Sequence, residues 1–171
     1  MSPEVGLLDG PAAATHVDAL ASVLLDCVAG GASVGFMASF DPEGARRYFE
    51  SVVDDVDNGR KLLLAAFDGG ELVGTVQVLL ATMPNQPHRG EIMKLLVRRS
   101  ARGSGVGAAL MAQAEAEARA AGTTLLVLDT ANDAAERLYE RGGWTRLGTV
   151  PNYALMPDGE PCATTFFWKE L

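Results

Sequence analysis

The sequence predicts a single α/β domain, and three features of the chain indicate it. A mostly apolar run of strand length, residues 92–97, leads through a basic, glycine-rich turn into a long alanine-rich segment that favours helix. A second run, residues 125–128, is apolar throughout, which is typical of a strand that is buried on both faces and paired in parallel. The length of 171 residues suits one core, and no segment resembles a linker or a repeat, so we expect residues 1–171 to form one domain.

The remaining elements follow from periodicity and turn residues. In chain order we expect a strand at 5–8, a helix from about 15 to 29, a helix between Asp41 and Asn58, a hairpin of 62–67 and 72–80, the central strand 91–97, a helix at 106–121, the strand 125–128, a short helix through 135–139, and strands at 144–153 and 164–169. The helix at 106–121 joins the parallel strands by a right-handed crossover. Cys27 falls on an apolar helical stripe and is expected in the core.

The glycine-rich turn at residues 98–107 has the character of an anion site. Glycines at 103, 105 and 107 let successive backbone N–H groups face one point, and the following helix adds its positive N-terminal end. Arg98, Arg99 and Arg102 stand beside them and are expected to accommodate an anionic cofactor. A dinucleotide site is disfavoured, because the polar segment separates strand from glycines and too little chain follows for a second nucleotide-binding half.

Composition limits the partners. The net charge of −8 argues against nucleic acid and anionic membranes as partners, and it is compatible with an amine-bearing substrate. The alternative is that the acidity only keeps the protein soluble. Two cysteines and two histidines, far apart in the chain, indicate neither a disulfide framework nor a metal site. We expect a cytoplasmic protein without a membrane span. The oligomeric state stays open, with a homodimer among the options.

Two motifs in order resemble the GNAT superfamily of acetyl-CoA-dependent N-acetyltransferases. The pyrophosphate signature Arg/Gln-x-x-Gly-x-Gly/Ala stands here as Arg102, Gly105 and Gly107. The family's later pattern Asn-x-x-Ala-x-x-x-Tyr, followed by a Gly-aromatic pair, is matched by Asn132, Ala135, Tyr139, Gly143 and Trp144, with Trp in place of the usual Phe. The resemblance covers residues 89–150 well and the N-terminal third only in its order of elements.

Within that superfamily the chain looks most like the tabtoxin-resistance acetyltransferases. The segments that carry this closer resemblance are residues 88–89, 91–107, 128–130 and 157–159. The family resemblance implies a mixed, mainly antiparallel sheet, flanked by about four helices, whose central parallel strands splay apart to admit the pantetheine arm of acetyl-CoA.

The resemblance also implies roles for individual residues. Backbone groups of Leu95, Leu96 and Val97 would pair with the pantetheine, and an N–H there would polarise the thioester carbonyl. Asn132 would hold the pantetheine, and Tyr139 would protonate the departing thiolate. The backbone N–H groups that would take the pyrophosphate belong to Arg102, Gly103, Ser104, Gly105, Val106 and Gly107.

An amine of pKa ~10 must lose a proton before it attacks a thioester, and a carboxylate near the cleft would serve as the base. Glu91 starts the central strand, where histone-modifying relatives in the superfamily place a glutamate base, and we assign it as the base. Asp129 ends the neighbouring strand and is assigned as amine anchor or second base. The alternatives are that Glu91 is a solvated strand-end charge and that Asp129 caps the next turn.

We therefore expect an enzyme that acetylates the primary amine of a small molecule from acetyl-CoA, without a metal. Two other classes remain: a fold relative that binds acyl-CoA as a sensor or partner module without turnover, and a nicotinamide-dinucleotide protein. The retained Tyr139, Asn132 and cleft carboxylates favour the enzyme over the sensor. The sequence leaves open the acceptor amine and whether loop 33–37 closes over it or fills the space between two helices.

Overall fold

A computed structural model describes residues 2–81 and 83–171. Within them the chain forms seven strands and five α-helices: β1 Glu4–Leu8, α1 Gly10–Thr15, α2 Val17–Ala29, α3 Pro42–Asp57, β2 Lys61–Asp68, β3 Glu71–Leu80, β4 Arg89–Val97, α4 Val106–Ala120, β5 Leu125–Thr130, α5 Asp133–Arg141, β6 Thr145–Leu155 and β7 Pro161–Glu170. One 3-10 turn, Arg99–Ala101, follows β4. No helix in the described ranges has both the length and the apolarity needed to cross a bilayer.

The strands form one mixed sheet in the order β1-β2-β3-β4-β5-β7-β6. Every neighbouring pair is antiparallel except β4 and β5, which run parallel. That parallel ladder covers only residues 89–91 against 125–127, after which the two strands separate. The predicted fold class, a mainly antiparallel sheet with one splayed parallel pair, is confirmed.

Helices cover the two faces of the sheet and bury a separate core on each. On one face α2 and α3 pack over the first half of the sheet, with Leu20, Leu24, Phe49 and Val52 fully buried. On the other face α4 packs across β2, β3 and β4, and its buried stripe consists of Val106, Leu110, Met111, Ala114 and Ala118. Cys27 is 1% exposed in the first of these cores, as its position on the helical stripe predicts.

The N-terminal helical segment differs from the prediction, because it is two helices and not one. Asp9 caps α1 by accepting a hydrogen bond from the N–H of Ala12 at 2.9 Å, and a proline lies in the first turn, so helix starts earlier than about residue 15. His16, with φ −104° and ψ 7°, then interrupts the helix before α2 begins. The fold therefore has five α-helices in the described chain where about four were expected.

Helix α3, which is the second of the predicted helices, and the hairpin of β2 and β3 agree with the prediction. Asp41 caps α3 by accepting the N–H of Gly44 at 2.7 Å, and the helix ends before Asn58. Between β2 and β3, Gly69 and Gly70 both have positive φ, 57° and 85°. Positive φ at both central residues is what a two-residue hairpin turn of matching twist requires.

Candidate active site

The glycine-rich turn opens α4 with its backbone N–H groups exposed. Gly103 and Gly105 have φ of 79° and 87°, a left-handed conformation that residues with a Cβ rarely adopt. Among the described residues, the N–H groups of residues 103–107 have no backbone acceptor. A Cβ added at Gly103 or Gly105 would meet no other atom within 4 Å, so the space above the turn is open. These donors lie at the positive end of a 15-residue helix, a geometry suited to a phosphate.

Two of the three arginines beside this turn contact other parts of the fold and not the open space. The guanidinium of Arg99 pairs with Asp26 of α2 at 2.9 Å, and the N–H of Arg99 donates to the same carboxylate at 2.7 Å. Arg98 donates to Ser22 of α2 at 3.2 Å and lies 3.6 Å from Glu71. Arg98 and Arg99 therefore fasten the turn to α2, and the expectation that they accommodate an anionic cofactor stays a prediction.

Asp26 is held ionised by this contact. Burial alone would raise the pKa of its carboxyl, but the hydrogen bonds and charge of Arg99 outweigh burial and lower it.

Arg102 is the arginine that remains at the turn. Its Nε donates to the carbonyl oxygen of Val97 at 3.2 Å, and it is exposed.

The central strand β4 carries one extra residue relative to β3. Lys94 and Leu95 stand opposite the single residue Val76, which is a β-bulge, and Lys94 has φ of 53°. The bulge reverses the alternation of side chains along β4. Ile92 lies in the core beside α4, whereas Leu96 lies in the core beside α2 and α3, although an even separation in a regular strand places both on one face.

The bulge and the strand separation together leave part of β4 without ladder partners. Lys94 and Leu95 have no paired residue on β3, and on the β5 side pairing ends at Glu91. Leu96 and Val97 pair with β3 only. The carbonyl of Val97 already accepts from Arg102 and, at 3.5 Å, from the thiol of Cys27. Leu95 is therefore the better placed of the predicted pantetheine contacts, and Val97 needs Arg102 to move first.

The two candidate carboxylates share one face of the sheet. Glu91 is paired in register with Val127, and Asp129 lies two residues further along β5, so Glu91 and Asp129 point to the same side. Burial raises the pKa of the Asp129 carboxyl, and the charge of Lys94 opposes that rise. The alternative was that Asp129 caps the next turn, but in that turn the N–H of Asn132 donates to the hydroxyl of Thr130 at 3.2 Å. Asn132 caps α5, and its Oδ1 accepts the N–H of Ala135 at 2.9 Å.

Tyr139 lies on the opposite face, behind the opening between β4 and β5. Its side chain is 5% exposed, and its ring packs edge-on against Phe167 with centroids 5.6 Å apart. Burial, with a contribution from the charge of Asp129, raises the pKa of the Tyr139 hydroxyl far above its usual value. Tyr139 therefore keeps its proton throughout the neutral range.

Lys94 is the site residue that the sequence reasoning missed. Its Nζ lies 5.6 Å from the ring centroid of Phe36 in the loop between α2 and α3. The available signal was a single charged residue inside the otherwise apolar run 92–97, but without the bulge nothing indicated which face it would occupy.

Loop 33–37 is packed against both helices and the last hairpin. Phe36 stacks on Phe40 with centroids 4.2 Å apart and contacts the edge of Tyr48 at 5.2 Å. Ser33 donates to the carbonyl of Leu155 at 3.1 Å. These contacts favour the interpretation that the loop fills the space beside α3.

In the described chain there is no cluster of three or more His, Cys, Asp or Glu side chains arranged to hold a metal ion.

Comparison with known proteins identifies the family. Over the whole chain the fold is similar to an N-acetyltransferase from Staphylococcus aureus Mu50, with TM-score 0.82, 17% identity and 99% coverage of both chains. It is also similar to YncA from Salmonella typhimurium, solved with its cofactor acetyl-CoA, with TM-score 0.81, 18% identity and coverage of 100% of this chain and 95% of that one.

A curated relative is the mycothiol acetyltransferase of Salinispora tropica, 35% identical over 96 residues, which are 54% of this chain and 31% of the relative. The chain spans less than half the length of the curated relatives that it matches. Residues 30–144 match the acetyltransferase (GNAT) family. The chain therefore belongs to the GNAT family of acetyltransferases.

Proposed function

We propose that the protein transfers an acetyl group from acetyl-CoA to the primary amine of a small molecule, which attacks the thioester directly. The observation that carries this proposal is the opening between β4 and β5. The unpaired backbone of Lys94 and Leu95 borders it, two carboxylates lie on one face of it, and a protonated tyrosine lies on the other. Within the GNAT superfamily, the tabtoxin-resistance type of enzyme remains our proposal for the subfamily.

The backbone geometry supports the binding of the acyl donor. The N–H groups of residues 103–107, which have no backbone acceptor, would take the pyrophosphate, joined by the N–H and side chain of Arg102 once these leave the carbonyl oxygens of Arg99 and Val97. The open edge of residues 95–97 would pair with the pantetheine, and the N–H of Leu95 would polarise the thioester carbonyl. Because Asn132 uses its Oδ1 as a helix cap, its side-chain NH₂ is the group that would contact the pantetheine.

The reaction needs two protons removed from the nitrogen and one supplied to the sulfur. Glu91 takes the first proton, from the ammonium, directly or through water, and the neutral amine attacks the carbonyl carbon. A C–N bond forms, the C–S bond breaks with its electron pair leaving on sulfur, and the nitrogen loses its second proton to water as the neutral amide forms. Tyr139, which keeps its proton, donates it or a hydrogen bond to the thiolate. Asp129 anchors the amine, and its raised pKa also makes it a competitor for the role of base.

The second candidate function is an acyl-CoA-binding module without turnover. The glycine-rich turn at the start of α4, residues 103–107, which we call the cradle, would alone serve that function equally well. Acetyl transfer is favoured by the carboxylates on the acceptor side, because a binding module has no use for a base facing the thioester.

The deciding experiment incubates the protein with acetyl-CoA and panels of small amines and follows free thiol release. Amine-dependent release supports transfer. Tight CoA binding without release from any amine would support the module instead.

For Glu91→Gln we predict a loss of ~10²- to 10⁴-fold in kcat near neutral pH, because a positioned base typically contributes that factor. Glutamine keeps the size and removes the ability to take a proton, so the dissociation constant for acetyl-CoA should not change. The defect should shrink as the pH approaches ~10, the pKa of an aliphatic amine, since an amine that arrives neutral needs no base. A pH-rate profile of the wild type and the variant measures this.

The companion variant Asp129→Asn separates the two carboxylates. As an amine anchor, Asp129 should affect KM for the acceptor at every pH, with a smaller effect on kcat. If Asp129→Asn, and not Glu91→Gln, shows the loss that disappears at high pH, the base assignment is reversed. If neither variant shows it, a water chain removes the proton.

For Tyr139→Phe we expect kcat to fall at least ~10-fold while the dissociation constant for acetyl-CoA stays within ~2-fold, since a general acid contributes ~10²-fold or more and the ring packing is retained. Stopped-flow measurement of thiol release, with calorimetry for binding, tests both quantities. Trp144→Phe changes an aromatic neighbour at 6.1 Å without touching the hydroxyl and serves as control for core disturbance. Undiminished turnover in folded Tyr139→Phe would assign Tyr139 to packing alone.

A further inference from the structure

One lysine of this chain differs from the other two in its surroundings. The sequence contains three lysines, at 61, 94 and 169. Lys61 pairs with Asp55 at 3.0 Å, and Lys169 pairs with Glu115 at 2.7 Å. Lys94 has no carboxylate oxygen within 4.0 Å among the described residues, although it is only partly exposed. A desolvated ammonium without a partner is costly, which indicates a role beyond folding.

The backbone holds Lys94 where the acceptor must lie. Lys94 is the bulged residue of β4, and its φ of 53° is a conformation that a lysine seldom adopts. Strained residues of this kind persist where the surrounding structure fixes them and cluster at functional sites. Its Nζ lies 3.3 Å from the position that a Cβ on Gly35 would occupy and 5.6 Å from the Phe36 ring centroid. The ammonium is thus directed toward loop 33–37, on the side of Glu91 and Asp129.

The charges around this ammonium do not neutralise it. Burial lowers the pKa of Lys94, the negative charges of Asp129 and Glu91 act in the opposite direction, and Lys61 adds to the lowering. The net direction is downward, so the attraction of the two carboxylates does not compensate for the lost water. This face of the sheet therefore combines carboxylates suited to an amine with an ammonium that has no carboxylate partner among the described residues.

We propose that Lys94 binds a carboxylate of the acceptor, so that the substrate class is a small amine that also carries a carboxylate. This inference rests on the proposed function and specifies its acceptor. Among the described residues, the charges that act on Lys94 are those of Asp129, Glu91 and Lys61, none of them an arginine, and such a setting suits a single negative charge better than a phosphate dianion. The amine end lies toward Glu91 and Asp129, and the carboxylate end lies toward Lys94 beneath Gly35 and Phe36.

The test compares acceptors that differ only in this charge. Thiol release from acetyl-CoA is measured with glycine, L-alanine, L-leucine, L-glutamate, glycylglycine, β-alanine and γ-aminobutyrate, each against its carboxamide. Converting the carboxylate to an amide lowers the pKa of the amine and raises its neutral fraction, so intrinsic reactivity favours the amide. We expect the reverse for at least one pair, with kcat/KM for the acid at least ~10-fold higher, as a charge-assisted contact gives.

Variants assign that preference to Lys94. In Lys94→Met the acid-to-amide ratio of kcat/KM should fall to about one, mainly through KM for the acid, and Lys94→Arg should restore part of it. Arg47→Met removes an equal charge from the exposed side of α3, where Arg47 pairs with Glu43 at 2.6 Å, and should leave the ratio unchanged.

Three outcomes would overturn the inference. Amides that are acetylated as well as or better than every acid by the wild type would do so without any variant. A ratio that survives in folded Lys94→Met would show that Lys94 only offsets the charge of Asp129. No thiol release from any acid or amide, with CoA still bound, would remove the proposed function itself and this inference with it.

Discussion

Separating two neighbouring strands leaves backbone N–H and C=O groups without partners, and this separation is the constraint on which the site depends. β3 continues to pair with β4 as far as Val97, and β7 pairs with β5 as far as Thr130, while β4 and β5 share only three residue pairs. The sheet is therefore two half-sheets joined at one end. Buried backbone groups require partners, and this is why we propose the open edges as the surface that pairs with the acyl donor.

The bulge at Lys94 decides what each side of that opening contains. One extra residue shifts the alternation of side chains along β4, so that Ile92 before it and Leu96 after it lie in the cores on opposite faces. The bulged position itself holds a charged residue, Lys94, beside loop 33–37. In the proposed reaction, the acyl donor and the acceptor approach from different sides. The cradle at the start of α4 continues directly from β4, and the contact of Arg99 with Asp26 fixes its position relative to α2.

Local patterns predicted most of the fold and part of the site. The caps at Asp41, the glycine hairpin turn and the helix that follows Gly105 each depend on residues adjacent in the chain. What could not be predicted depends on residues far apart. Asp26 lies 73 residues from Arg99, so nothing near the turn indicated that this arginine was already engaged. The bulge likewise depends on the register between β3 and β4, and the sequence of one strand does not determine that register. The face that Lys94 occupies could therefore not be predicted.

The central claim is that the cradle binds the pyrophosphate of CoA, and calorimetric titration with a matched pair of variants tests it most directly. Gly105 and Gly122 lie at opposite ends of α4, have φ of 87° and 89°, and would each give a Cβ open space. Alanine at either position therefore carries the same left-handed strain, ~1–2 kcal/mol. The account predicts that Gly105→Ala weakens CoA at least ~10-fold while Gly122→Ala, equally destabilised, binds as the wild type does. Equal CoA affinity in the two folded variants, or binding of NAD without binding of CoA, would contradict it.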